Sequence, residues 1–153
     1  MKKAFTMIEL VFVIVVLGVL SSIAITKMAT TRDDAQMVKG RSEVSAIRSS
    51  ITLLRSKNMM SGMSNGGNPT HLDDEHNTAD GQLFDGNSST GKLLEYPIYE
   101  KDANGRWRKT AENTYKFKVL NTDITFTYNG AGVFDCNHSA GVAENTYCQA
   151  LTE

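Results

Sequence analysis

The chain opens on an apolar run unlike anything that follows it. From Phe5 to Ile25 nearly every residue is apolar, and Glu9 is the one charge inside. Leu10 to Thr26 carries no charge, and Lys27 closes the stretch. These seventeen uncharged residues, extended by Phe5 to Ile8, are enough to cross about 30 Å of hydrocarbon as a helix. Beyond Lys27 the pattern changes. Met37, Gly40, Val44, Ile47, Ile51 and Leu54 recur at alternating steps of three and four, while Lys39, Arg41, Glu43, Arg48, Arg55 and Lys57 take other faces. That spacing predicts a helix with a narrow apolar stripe. The stripe is short for a coiled coil and suits packing under a sheet. The helix is expected to run from Thr6 to about Asn58, with Gly18 and Gly40 as weak points. Gly40 costs about 1 kcal/mol relative to Ala, and a bend is allowed there.

From Ser61 to Lys92 the composition shifts to Gly, Asn, Ser, Thr and Asp, which reads as a long surface loop tacked down by Leu83 and Phe84. Strand patterns come last. Leu93 to Tyr99 is one candidate, placed at an edge because Pro97 lacks a donor. Arg106 to Lys109 is a weaker one after the Asn104-Gly105 turn. Tyr115, Phe117 and Val119 alternate with polar residues, as do Ile124, Phe126 and Tyr128. With Asn121-Thr122 between them, they predict a hairpin. Asn129 to Gly132 turns into a short strand, Val133 to Cys136, and Asn137 to Gln149 is expected to be a loop. The fold class is α+β: a long N-terminal helix, membrane-spanning in its first half, packed on a small C-terminal antiparallel sheet. The organisation expected is a leader over 1–4, a transmembrane segment over 5–26, continuing helix over 27–60, the polar loop over 61–92 and the sheet region over 93–153.

Composition adds limits. The chain has 153 residues and a formal net charge of −1, which gives no global basic signal for nucleic acid. Setting the membrane helix aside leaves about 125 residues, enough for one small domain. Cys136 and Cys148 are the two cysteines. In an exported domain, which sits in an oxidising compartment, they are expected to pair; the alternative is two free buried thiols. Their spacing does not suit a zinc site. No nucleophile constellation, phosphate loop or zinc-protease motif is visible, so neither enzyme activity nor a cofactor is expected. His138 has no evident catalytic partner.

The densest polar cluster, Thr70 to His76 with Asp80 and Asp85 beyond, has carboxylates for calcium but not the spacing of a twelve-residue loop. It reads as a solvated acidic loop, and His71 with His76 is a weaker metal pair still. Lys101, Arg106, Arg108 and Lys109 surround Trp107, a set able to touch DNA phosphates beside an aromatic. A solvated strand face with one packed Trp is the better reading. Asp85-Gly86-Asn87-Ser88-Ser89 and Asp135-Cys136-Asn137-His138-Ser139 have the form of an extended bacterial glycosylation acceptor.

Glu9 demands a reason, because an acid near the centre of a bilayer costs roughly 2.5 kcal/mol or more. An ordinary secretory signal peptide, cut after Ser22-Ile23-Ala24, gives it none. A plain single-pass anchor gives it none either.

Lys2-Lys3-Ala4, then Phe5-Thr6-Met7-Ile8-Glu9-Leu10 and the apolar run resemble the prepilin signal of type IV pilins and type II secretion pseudopilins. The resemblance covers about the first thirty residues. It implies cleavage between Ala4 and Phe5 by a membrane peptidase that also N-methylates Phe5, and a role for Glu9 in assembly. Further implied partners are other pilin subunits, an inner-membrane assembly platform and membrane lipid. The exported domain would be extracytoplasmic, held in the inner membrane and later in a filament. The family usually has Gly where this chain has Ala4, and many members have Pro where it has Thr26. Cleavage would create an amine on Phe5, with a pKa of about 8 and so largely cationic. That amine is within reach of Glu9 on its own helix, one turn along, and between staggered helices it can equally meet a neighbour's Glu9, each charge relieving the other's burial.

Overall fold

The computed structural model describes residues 5–63, 66–73, 81–86, 91–139 and 141–153. Helix α1 spans Met7–Met60, and a second helix, α2, spans Val142–Thr152. Strands β1 (Gln82–Leu83) and β2 (Ile98–Tyr99) form a two-stranded antiparallel ribbon. Strands β3 (Trp107–Ala111), β4 (Thr114–Val119), β5 (Thr122–Tyr128) and β6 (Phe134–Cys136) form an antiparallel meander in chain order. The class is α+β with a long N-terminal helix.

By contacts the chain divides into two units, residues 1–35 and 36–153, with α1 continuous through the boundary. In the first unit the described side chains up to Ile25 are all exposed. The second unit holds the core. Val44, Ile47, Ile51 and Leu54 of the expected stripe are buried, with Met37 partly so. They face Trp107, Tyr115, Phe117, Val119, Ile124, Phe126, Tyr128 and Phe134, the alternate positions of β3 to β6. A period near 3.6 meets a period of two, and both one-sided patterns are satisfied.

Four expectations are corrected. First, Gly40 is not a free weak point: it is buried inside the unbroken helix, with Phe117 and Leu151 close against it. Second, only Ile98–Tyr99 of the expected 93–99 strand forms. Leu93 and Leu94 are both buried, and neighbours that bury together cannot alternate across a strand. Third, the β4–β5 turn is Leu120-Asn121, and Thr122 already belongs to β5. Both turn residues have positive φ, 48° and 64°, as a type I′ turn needs. Asn104 holds them: its Oδ1 accepts Asn121 N–H at 3.0 Å. Fourth, much of the expected 137–149 loop is α2, which buries Cys148 and Leu151 and half-buries Tyr147 on one face.

The polar loop is tacked down more widely than Leu83 and Phe84 alone. Leu72 is fully buried, and Tyr128 donates its hydroxyl to Pro69 O at 2.7 Å. Phe84, at φ 58°, lies 4.4 Å from the Tyr115 ring and 5.5 Å edge-on from Trp107. The aromatic cluster recovers the cost of a left-handed Phe.

Candidate functional site

The site singled out by sequence lies at the start of α1. Ala4 falls outside the described residues; Phe5 is exposed and precedes the helix. Met7 to Ile25, 19 residues of mean hydropathy 2.8 and none of them buried, is long and apolar enough to cross a membrane. At 1.5 Å per residue it spans about 28 Å. Its hydroxyls are satisfied within the helix. Ser21 Oγ donates to Leu17 O at 2.7 Å, and Ser22 Oγ to Val19 O at 2.8 Å. That lets the serines sit in hydrocarbon without an unpaired donor.

Glu9 is engaged by its own helix end. Its Oε2 accepts the Thr6 N–H at 3.3 Å and the Thr6 hydroxyl at 3.1 Å. Glu9 N–H in turn donates to Thr6 Oγ1 at 3.3 Å. This reciprocal pair is a capping box, two orphan donors of the first turn satisfied at once. An acid in the first turn also faces the positive end of the helix dipole. Sequence reasoning looked for Glu9's partner on another chain and missed this local one, although Thr-x-x-Glu ahead of an apolar run is its signature. Both bonds fall on Oε2; Oε1 has no partner among the described residues.

The second arrangement joins α1 to the C-terminal end of α2. Cys136 of β6 and Cys148 of α2 form a disulfide, Cα to Cα 5.9 Å. Helix α2 has no basic residue in its last turn. Arg41 and Arg48, seven apart on α1, supply the cations. Arg41 donates to Ala150 O through Nε at 2.9 Å and Nη2 at 2.6 Å. Arg48 donates to Phe134 O at 2.9 Å, to Thr152 O at 3.3 Å and to Asp135 Oδ1 at 2.9 Å. The last carbonyls of a helix want such donors and the charge they bring. At the other end of α2, Glu144 Oε1 accepts the Thr125 N–H at 3.1 Å, beyond the reach of the short β6. A polar recess lies there, lined by Thr125, Thr127, Asp135, Cys136, Asn137 and Glu144.

The other candidates disperse. Trp107 is fully buried, so its ring is not available to stack on a base. Its Nε1–H donates to Glu43 Oε2 at 3.0 Å. Burial pushes the Glu43 carboxyl up, against the pull of Lys39, the Trp107 bond and Arg106. Arg108 pairs with Asp102 and Asp123, and Lys109 with Asp73 at 2.7 Å. Lys118 also binds Asp102, whose exposed carboxyl is held below the ordinary range chiefly by that bond. In the acidic loop, Asp73 is buried against Lys109 and His71 pairs with Glu112 at 2.8 Å. Burial and the nearby Asp73 and Asp85 carboxylates push the Tyr115 phenol far up, so it stays neutral. Asp74, Glu75, His76 and Asp80, and Asn87 to Ser89 of one glycosylation pattern, lie outside the described residues. Asn137 of the other pattern is exposed, and its Oδ1 accepts Ser139 N–H at 2.9 Å.

Comparison with protein-family models, with curated proteins and with solved structures returns no match.

Proposed function

We propose that the chain is a structural subunit of a filament of the type IV pilus or type II secretion pseudopilus class, without catalysis of its own. The observation that carries the reading is one charged residue, Glu9, at the head of a 19-residue apolar helix with no part of it buried. A helix apolar all round needs lipid or other helices around it. In this reading lipid covers it first and neighbouring subunits later. A membrane peptidase removes residues 1–4 and methylates Phe5, an inner-membrane platform extracts the subunit, and the folded domain stays extracytoplasmic. The Phe5 amine and a neighbour's Glu9 then set the register between helices.

A second reading, a membrane-anchored extracytoplasmic binding module, is favoured by the capping box. The Thr6–Glu9 bonds give the acid a local task that needs no neighbour. The long polar loop from Ser61 to Lys92 would be the place to bind.

Intact mass of the mature protein tests the processing on which the first reading depends. It should lack four residues and carry one methyl on Phe5. An unmodified mature chain that still begins at Met1, or one that begins at Ile25, would remove that reading.

A further inference from the structure

His138 stands beside the disulfide that joins β6 to α2. Its Nδ1 is 3.7 Å from Cys148 Sγ. Its other ring nitrogen, Nε2, is 3.5 Å from Asp135 Oδ1. The donor atoms of Cys136, His138 and Cys148 all lie within 4.8 Å of one another. The two sulfurs belong to buried residues, and His138 is exposed.

We propose that, with the disulfide reduced, this junction binds a soft divalent cation such as Zn²⁺ through Cys136 Sγ, Cys148 Sγ and His138 Nδ1. The spacing of the two cysteines alone does not suit zinc, but the fold brings His138 to them as a third donor, and thiolate and imidazole at about 2.3 and 2.0 Å are what zinc takes in tetrahedral sites. Two thiolates on one tetrahedral ion stand about 3.8 Å apart, so the sulfurs move apart once the bond between them is reduced. In the His138 tautomer with its proton on Nε2, toward the Asp135 carboxylate, the Nδ1 lone pair faces the sulfurs. Ligating histidines are held in this way, with a carboxylate behind them. Asp135 is itself fixed, since its Oδ1 also takes Arg48 Nη2 and the Cys136 N–H, each at 2.9 Å. With three protein ligands, a fourth position is left for water.

Disulfide and metal exclude each other. Reduction adds two electrons and two protons and yields two thiols; a phosphine reductant supplies the electrons and leaves as its oxide, taking oxygen from water. The cation then displaces both thiol protons. The junction is thereby cross-linked in either redox state, by a covalent bond or by a metal, and α2 stays fastened to β6. The inference rests on no assumption about filament assembly.

The test is a Co²⁺ titration of the full, untagged chain in detergent, before and after phosphine reduction. The reduced chain should bind one equivalent, with a sulfur-to-cobalt charge-transfer band and tetrahedral d–d bands displaced by Zn²⁺. The oxidised chain should show neither. His138→Ala should weaken binding by tenfold or more, and Asp135→Asn by about tenfold through the lost orientation of the ring. No thiolate band after reduction would overturn the proposal. So would an unchanged titration in His138→Ala, which is the result expected if two loosened thiols gather the ion without a built site.

Discussion

Gly40 of α1 lies directly against Phe117 of β4: a Cβ placed on it would stand 2.5 Å from Phe117 Cε1 and 2.7 Å from Leu151 Cδ2. The helix can approach the sheet and α2 this closely because the side chain is missing. Gly40→Ala therefore sets two effects in opposition. Helix propensity gains about 1 kcal/mol. Overpacking of a rigid aromatic contact costs about 1–3 kcal/mol, and rings buried on all sides have little room to give. The net expectation is a loss of up to about 2 kcal/mol, read as a lowered thermal midpoint of the full chain in detergent. Gly18→Ala meets nothing within 4 Å and should not lower that midpoint. A stabilised Gly40→Ala would show that the contact relaxes freely.

Arg48 and Arg41 act on the same helix end with unequal weight. Arg48 is about two-thirds shielded and donates to two carbonyls and a carboxylate. Arg41 is exposed and donates to one carbonyl. Hydrogen bonds from charged donors contribute about 1.5–3 kcal/mol when buried, and less with solvent at hand. Arg48→Ala is expected to cost about 1–2 kcal/mol, and Arg41→Ala under about 1 kcal/mol. Denaturant titration gives the magnitudes. Amide exchange over Val142–Thr152 should quicken first in Arg48→Ala; equal effects of the two changes would contradict the assignment.

Glu43 gives the folded domain a signed pH response. Its carboxyl is raised above the ordinary 4.5 by burial, which outweighs the Lys39, Trp107 and Arg106 contributions. The folded state then holds this proton more tightly than the unfolded state does. The associated stability is complete below the unfolded value of 4.5, and it is lost as pH rises through the higher folded value. Glu43→Gln removes the response. The stability of the parent minus that of Glu43→Gln should fall as pH rises from below 4.5 toward neutrality. The difference cancels other titrating groups such as Asp102. A difference independent of pH would mean that Glu43 is not desolvated.

What could be read from the chain alone follows the strength of its periodic signals. Val44, Ile47, Ile51 and Leu54 recur at helical spacing, and Tyr115, Phe117, Ile124 and Phe126 at strand spacing; all are buried as those patterns require. Helix α2 escaped because its apolar positions are few: Cys148 and Leu151 carry the buried face, and one of them was read only as a disulfide partner. Gly40 was misread because propensity is local, while the ring that needs its missing Cβ lies 77 residues on. The Arg48 contacts are equally distant, reaching 86, 87 and 104 residues ahead. Nothing near Arg48 in sequence marks them. At the N-terminal site the opposite holds. The Thr6–Glu9 box is wholly local and lay in plain sight, but the charge of Glu9 drew attention to a distant partner first.

The central claim is that Glu9 serves assembly, and its most direct measurement is the yield of sheared filaments against total membrane-bound subunit. Thr6→Val keeps the acid but removes the hydroxyl of the cap, a loss of about 1 kcal/mol confined to the helix end. It should assemble nearly as the parent does. Glu9→Asp keeps the charge with a shorter reach and should be intermediate. Glu9→Ala should insert and fold, since the segment becomes more apolar and the core around Trp107 and Phe117 is untouched. Its filament yield should nonetheless collapse at an equal level of subunit. Normal yield from Glu9→Ala would show that the acid is only the capping partner of Thr6 and not the assembly device.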